Sequence, residues 1–356
     1  MIKTIEKNYH LMIKNYQLKH KSDHWIGRFK ASRLGKIKNI DYLNFRKPRL
    51  LGHNLSTGFN DEFGFISTMN MLIDLLYSKS SIDVKKFSEV KIGKPKSYNF
   101  GDFSTNYNEL RIIKIFNELN KYFDQDINVI CEIGGGYGSL ASKIKKKYPD
   151  KTLILIDIPE TLIIQSYYLT TMFPNLKFCF YEEFKKLSFN EIKEEKFDFI
   201  IIPPWEKSKL AEQNYIDLFI NSVSFQEMDK EIILEYFDFI QNSISKNGLF
   251  YNLNKNEKII NKIPIRISEY PYDKYWKILE KKVDSNNPNL HQIVAQRMSD
   301  ENKSFYKEIR DIPKVNPSKF KWSFLNFLKV GTRYFLNVFM FFFPKKILYK
   351  LFKIYF

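Results

Sequence analysis

Val129-Ile130-Cys131-Glu132-Ile133 is an apolar run broken by one acid, and Gly134-Gly135-Gly136-Tyr137-Gly138 follows it directly. Beyond the glycines comes Leu140-Ala141-Ser142-Lys143-Ile144-Lys145-Lys146-Lys147, with apolar residues three to four apart. The spacing predicts a buried strand, a glycine turn and an amphipathic helix. Such a turn lets backbone approach a ligand closely and aims helix N-terminal N–H groups at it.

The flanking sequence repeats the alternation. Residues 60–78 and Asn108–Phe123 read as helices leading into this strand. After it, strands are expected at Thr152–Ile156, Lys177–Tyr181, Phe197–Ile202, Ile216–Ser222 and Gly248–Leu253, with helices at Leu162–Met172 and in a segment ending near Ser243. Trp276–Lys281 and His291–Gln296 read as a final, antiparallel pair. Strands alternating with helices imply an α/β, Rossmann-like fold with a mostly parallel, doubly wound sheet. The expected division is an N-terminal, mainly helical substrate or lid region (1–107), a ligand-binding domain (108–300) and a C-terminal helical tail (301–356).

With 356 residues and 44% hydrophobic content the chain can bury a sizeable core and is not of the disordered class. The two cysteines, Cys131 and Cys179, lie in apolar runs and read as buried thiols in a reducing compartment. The N-terminus has no apolar signal core, so a cytoplasmic location is expected. The +17 charge is uneven. Residues 1–50 carry 13 Lys/Arg against 3 Asp/Glu, and residues 312–356 carry 9 against none. The remainder comes to about −2, so the basicity belongs to the ends, where it suits nucleic acid, anionic lipid or a phosphorylated substrate.

Two ligands compete for the glycine turn. A dinucleotide site wants Gly-x-Gly-x-x-Gly; Gly134 and Gly136 fit, but the third position is Ser139. Glu132, Gly134, Gly136 and Gly138 match acid-x-Gly-x-Gly-x-Gly in full, the first motif of class I S-adenosylmethionine (SAM) methyltransferases. In that reading the acid holds an α-ammonium, directly or through water. The glycines let the methionine part lie on the backbone. Asp157 ends the next strand, 23 residues after Gly134, where a carboxylate can accept both ribose hydroxyls. Read structurally instead, Asp157 is a strand-end turn acid.

Several segments together resemble the bacterial sugar O-methyltransferases associated with surface-polysaccharide clusters. They are Glu132–Gly138, Leu155-Ile156-Asp157-Ile158-Pro159-Glu160 and Asn221-Ser222-Val223-Ser224-Phe225-Gln226-Glu227-Met228, with Trp276 and His291-Gln292-Ile293-Val294 also in keeping. The likeness covers roughly residues 20–300, and the Ser224–Met228 stretch is its most discriminating part. It implies a SAM-dependent enzyme that methylates a sugar hydroxyl. Glu132, Gly134, Gly136 and Gly138 would line the methionine part, with Gly135 and Tyr137 in the same turn. Asp157 would take the ribose, Ile158 the adenosine, and Ser224–Glu227 would face the methyl group.

A sugar hydroxyl is a weak nucleophile, so a general base within hydrogen-bond reach would help. Glu227 and His291 are the candidates, each at or after the edge of an expected core strand. Their structural readings are a helix cap or loop tie and an ordinary strand-edge histidine. His24, beside Trp25, could swing in from an N-terminal lid or lie on the surface. Pro203-Pro204-Trp205 is similar to the motif of amino-group methyltransferases, but Ile202 before it supplies no polar acceptor, and it reads as a turn whose Trp packs near adenine or substrate. The scattered histidines and absence of Cys-x-x-Cys argue against zinc; carboxylate-bound magnesium stays open.

Residues 319–356 place many aromatics among lysines with no acid. Their longest uncharged stretch, Tyr334–Pro344, is too short to span a bilayer. The pattern suits a helix on an anionic inner leaflet, that is, peripheral membrane attachment; a helical hairpin packed on the domain or on a second subunit is the alternative. Nucleic acid is the less favoured partner, and oligomeric state is not legible. The competing functions are a SAM enzyme acting on RNA or lipid and a non-catalytic scaffold at the membrane.

Overall fold

A computed structural model describes residues 1–16, 43–47, 64–77, 82–123, 126–211, 213–260, 263–284, 287 and 289–311. The expectations for His24, Trp25 and the basic aromatic tail lie outside these residues. From the N-terminus come helix α1 (Ile2–Asn15), helix α2 (Phe65–Tyr77), and a hairpin of β1 (Tyr98–Phe100) and β2 (Phe103–Thr105). Helix α3 (Tyr107–Asn120) follows, its start fixed by the Asn106 side chain, which accepts the Glu109 N–H at 2.9 Å.

The core begins with β3 (Val129–Ile133), α4 (Ser139–Lys147), β4 (Thr152–Ile156) and α5 (Pro159–Met172). Pro159 sits at the first turn of α5, where a missing N–H costs nothing. Next come β5 (Phe178–Cys179), α6 (Tyr181–Lys186), α7 (Phe189–Glu194), β6 (Phe199–Ile202) and β7 (Ile216–Ser222). The chain ends its described course with α8 (Lys230–Ser243), β8 (Ile244–Lys255), a β9 (Glu257–Ile260) and β10 (Ile263–Arg266) hairpin, β11 (Trp276–Val283), β12 (Leu290–Arg297) and α9 (Phe305–Arg310).

Eight strands form one sheet in the order β11-β12-β8-β7-β3-β4-β6-β5. From β5 to β8 every pairing is parallel; β12 joins β8 antiparallel, and β11 joins β12 antiparallel. The expected mixed α/β architecture, mostly parallel with an antiparallel end, is therefore the observed one. Leu153, Ile154, Leu155 and Ile156 are wholly buried, as an interior parallel strand covered on both faces requires. One sheet face carries Ile130, Leu155, Ile220, Tyr251 and Leu253 against α3, α4 and α5. The other carries Cys131, Ile133, Phe219, Phe250 and Ile293 against α8 and α9. Each fully buried Ile, Leu or Phe adds about 1.5–3 kcal/mol. Cys131 and Cys179 are buried free thiols.

Neighbours β4 and β7 lie on opposite sides of β3, and chain order reverses there. At such a switch point the loops leaving the strand ends splay apart and open a crevice. The β3 and β7 ends flank it. Around it pack α1 against α5 and α6, and α2 against α3.

Candidate active site

Glycines 134, 136 and 138 all have positive φ (75, 58 and 89°), a backbone that side-chain-bearing residues rarely adopt. A Cβ on Gly134 would stand 2.2 Å from Ser224 Oγ. A Cβ on Gly135 would stand 2.8 Å from the Glu132 carboxyl. The turn is thus tight from both sides, and it ends with Gly138 as the N-cap of α4.

Glu132, at the floor of the turn, is 4% exposed, and its Oε2 has no hydrogen-bond partner among the described residues. Burial, followed by the charge of Asp157, pushes its carboxyl up to about 8. Asp157, just past β4, keeps part of its surface accessible, yet desolvation raises its carboxyl to about 7. Its Oδ1 accepts the Ile158 N–H at 2.8 Å and its Oδ2 the Gly136 N–H at 3.2 Å. Each carboxylate oxygen offers two lone-pair directions, so Asp157 retains capacity for two further donors. These features fit SAM: Glu132 has an orphan oxygen where an ammonium is needed, and Asp157 has free acceptor sites where a ribose diol would lie.

Ile158, Trp205 and Tyr16 extend the crevice. Tyr16, directly after α1, packs against Trp205 in a tilted arrangement with ring centroids 5.5 Å apart. Trp205 meets Tyr181 edge-on at 6.2 Å, and its Nε1 donates to the Tyr181 hydroxyl at 3.4 Å. Burial first, then the nearby charges of Glu160 and Asp157, raise the Tyr16 hydroxyl well above its ordinary range. The turn Pro203-Pro204-Trp205 is therefore built for packing. Tyr16 was not legible as a site residue, because helix spacing in α1 says nothing about which strand end it reaches.

On the other side of β3, the chain leaves β7 through Val223, whose φ is +64°. For a β-branched residue this is a strained backbone, and the Val223 N–H is held at 2.7 Å by the Leu253 carbonyl. The bend brings Ser224 back onto β3, where its Oγ donates to the Ile133 carbonyl at 3.1 Å. Asn221 completes the tie: Nδ2 donates to Ile133 O and to Ser224 Oγ, and Oδ1 accepts the Phe225 N–H and Asn254 Nδ2. Asn254 Oδ1 accepts the Gln226 N–H, and Gln226 Oε1 accepts the Lys255 N–H. Three wholly buried asparagines, Asn221, Asn252 and Asn254, thus anchor the segment that carries Glu227.

Glu227 ends a short 3-10 turn (Phe225–Glu227), and the N-cap position of the following helix is held instead by Asp229. Glu227 is half-buried and lies within electrostatic reach of both Asp157 and Arg111 of α3. His291 is placed differently. It is 1% exposed on β12, directly opposite Asn254 of β8, and its Nε2 has no hydrogen-bond partner among the described residues. Burial lowers its pKa, which keeps the ring neutral. His291 therefore stands beside the asparagine row, one strand removed from the turn that presents Glu227.

Behind the glycine turn lies a buried charge cluster. Glu109 of α3 accepts Ser139 Oγ at 3.0 Å and Tyr137 OH at 3.3 Å, and pairs with Lys143 of α4. Arg46 forks onto Glu89, which also accepts Asn106 Nδ2 at 2.7 Å. Among the described residues no group of three or more His, Cys, Asp or Glu is placed to hold a metal ion.

A profile of the O-methyltransferase domain family matches residues 84–180, a span that contains the glycine turn and Asp157. No curated protein matches the sequence. Among solved structures, mitomycin 7-O-methyltransferase aligns at 11% identity and a TM-score of 0.33, covering 54% of this chain and 57% of that one. An O-methyltransferase family protein from Burkholderia thailandensis aligns at 9% and 0.33, covering 55% and 60%. Magnesium protoporphyrin IX methyltransferase from Synechocystis PCC 6803, with SAM bound, aligns at 12% and 0.34, covering 53% and 79%. The chain thus spans little more than half the length of the first of these. The profile match thus falls on the segment that holds Glu132, the glycine turn and Asp157, and that segment resembles an O-methyltransferase domain.

Proposed function

We propose that this protein transfers a methyl group from SAM to a hydroxyl of a sugar in a bacterial surface glycan or its precursor. The observation that carries the reading is the buried Glu132 carboxyl with an orphan oxygen, set beside three positive-φ glycines and within electrostatic reach of Asp157 at the end of the neighbouring strand β4. The sugar rests on the resemblance of the Asn221–Met228 stretch, which the Asn221 and Ser224 side chains tie to the Ile133 carbonyl at the end of β3.

SAM, when bound, supplies a methyl group already activated on a sulfonium. What remains for the protein is alignment and proton removal. Glu132 holds the ammonium end and Asp157 the ribose; Tyr16 and Trp205 wall the far side. Glu227, on the turn that closes the crevice, takes the proton from the acceptor hydroxyl. His291, neutral and buried, is the second candidate for that step. The basic aromatic tail holds the enzyme at an anionic inner leaflet, where lipid-linked glycans are assembled.

Parallel calorimetric titrations with S-adenosylhomocysteine and NAD test the reading. Binding of the first alone is expected; tight NAD binding with none of the first would sink it. Label transfer from methyl-labelled SAM to glycan, against RNA and lipid, tests the acceptor. A truncation near Pro313 that still pelleted with membranes would refute attachment through the tail.

A further inference from the structure

On the sheet face opposite the asparagine row, a cavity of about 140 Å³ opens between α3 and the ends of β8, β11 and β12. A cavity of about 150 Å³ is enough to hold a benzene ring, so this one is sized for a single six-membered ring. Its wall is of two kinds. Ile115 and Leu253 supply apolar side chains. Opposed to them stand Lys114 paired with Asp284 at 2.8 Å and Lys282 paired with Glu118 at 2.5 Å. Two cations against two anions leave the lining without net formal charge. Nothing in that balance favours phosphate, which wants unopposed donors.

Tyr251 and Gln292 form the floor. Tyr251 OH donates to Gln292 Oε1 at 2.9 Å, and Gln292 is 3% exposed. The Gln292 Nε2 end has no hydrogen-bond partner among the described residues. Turning the amide over only exchanges which end is orphaned. A buried amide half-satisfied in this way is destabilising until something pairs with it.

The cavity adjoins the proposed site. Leu253 lines it, and the same residue's carbonyl holds Val223, the bend that delivers Ser224–Glu227. Arg111 lies one turn before Lys114 on α3 and is within electrostatic reach of Asp284 on one side and Glu227 on the other.

We infer that this cavity is a subsite for one neutral pyranose ring of the acceptor. A pyranose has an apolar C–H face for Ile115 and Leu253, and a rim of hydroxyls that both donate and accept. Such a rim matches paired carboxylates and ammoniums together with one unsatisfied amide. The inference rests on the sugar-methylation reading and narrows it to an uncharged ring.

The test uses the full chain with S-adenosylhomocysteine bound and saturation-transfer NMR with millimolar methyl hexopyranosides as probes. Ring protons of at least one neutral glycoside are expected to show transfer, with inorganic sulfate failing to compete. Gln292→Leu should weaken that glycoside about tenfold and leave S-adenosylhomocysteine affinity unchanged. If that variant misfolds, Asp284→Asn, at the rim, is expected to weaken it several-fold. No transfer from any glycoside, competition by sulfate, or equal binding in a folded variant overturns the subsite. Failure of S-adenosylhomocysteine to bind the unaltered chain instead overturns the methyltransferase reading, which separates the two.

Discussion

The guanidinium of Arg46 lies over the ring of Tyr137, 4.6 Å from its centroid, while its two terminal nitrogens grip Glu89 at 2.7 and 2.6 Å. Tyr137 is inside the glycine turn, so a residue from the N-terminal region fixes the back of that turn. Arg46 and the Glu89 carboxylate are both at most 5% exposed. Arg46→Met strands a buried carboxylate and should cost about 3–5 kcal/mol in urea unfolding. The double change Arg46→Met with Glu89→Leu should lie closer to the unaltered protein than either single change; an additive loss would show that the pair is not coupled.

Two desolvated carboxyls, one buried and one partly exposed, give the ligand-free protein a defined pH response. Glu132 sits at about 8 and Asp157 at about 7, both above their ordinary values. A carboxyl raised in the folded state contributes stability that is complete below its unfolded pKa and is lost as pH rises through the folded one. Melting temperature should therefore fall by several degrees between about pH 5 and pH 8. S-adenosylhomocysteine should flatten the fall, bind more tightly as pH rises towards 8, and expel protons on binding. Calorimetry in buffers of different ionisation enthalpy reads that release, and Glu132→Gln should remove most of it.

Asp157→Ala deletes the proposed acceptor for the ribose hydroxyls and the partner of two backbone N–H groups. S-adenosylhomocysteine affinity should drop by about 10- to 100-fold. Unchanged affinity in calorimetry would take the residue out of the site.

Gly134→Ala meets two obstacles of different origin. The left-handed backbone costs about 1–2 kcal/mol, and the new methyl collides with Ser224 Oγ. Together the loss should be about 2–5 kcal/mol. Adding Ser224→Gly relieves the collision alone, so the double variant should recover part of the loss in thermal melts. Complete recovery would mean that the backbone strain counts for nothing.

Glu227 and His291 are separable by kinetics. If Glu227 is the proposed base, Glu227→Gln should lower kcat about 100-fold or more with S-adenosylhomocysteine affinity intact. His291→Gln, changing a buried ring beside Asn254, should alter stability more than rate. The reverse pattern would assign the base to His291.

The sheet, its strands and the two acids were legible because each is written in a local pattern. Apolar runs give strands, and Asp157 follows one at a fixed remove from the glycines. The helix read over 60–78 is observed as Phe65–Tyr77, and the strand read from Gly248 starts at Ile244. The β9–β10 hairpin went unread because its residues are mixed and partly exposed, with no clean alternation. What stayed hidden in the site is long-range. Arg46 reaches Glu89, Tyr16 reaches Trp205, and Asn254 reaches Asn221 across distances that no periodicity encodes. The bend at Val223 was invisible for the opposite reason: valine is the residue least expected at positive φ.

Strand β8 carries two jobs on alternate residues. Asn252 and Asn254 face the row that anchors the Glu227 turn, while Tyr251 and Leu253 face the cavity under α3. Because strand side chains alternate strictly, inserting or deleting one residue before position 251 would exchange the two sets wholesale. Catalytic tie and cavity wall would fail together, although every residue involved was still present. A two-residue change would keep each set on its own face. The length of this strand is thus constrained by parity, and libraries that vary it should do so in pairs.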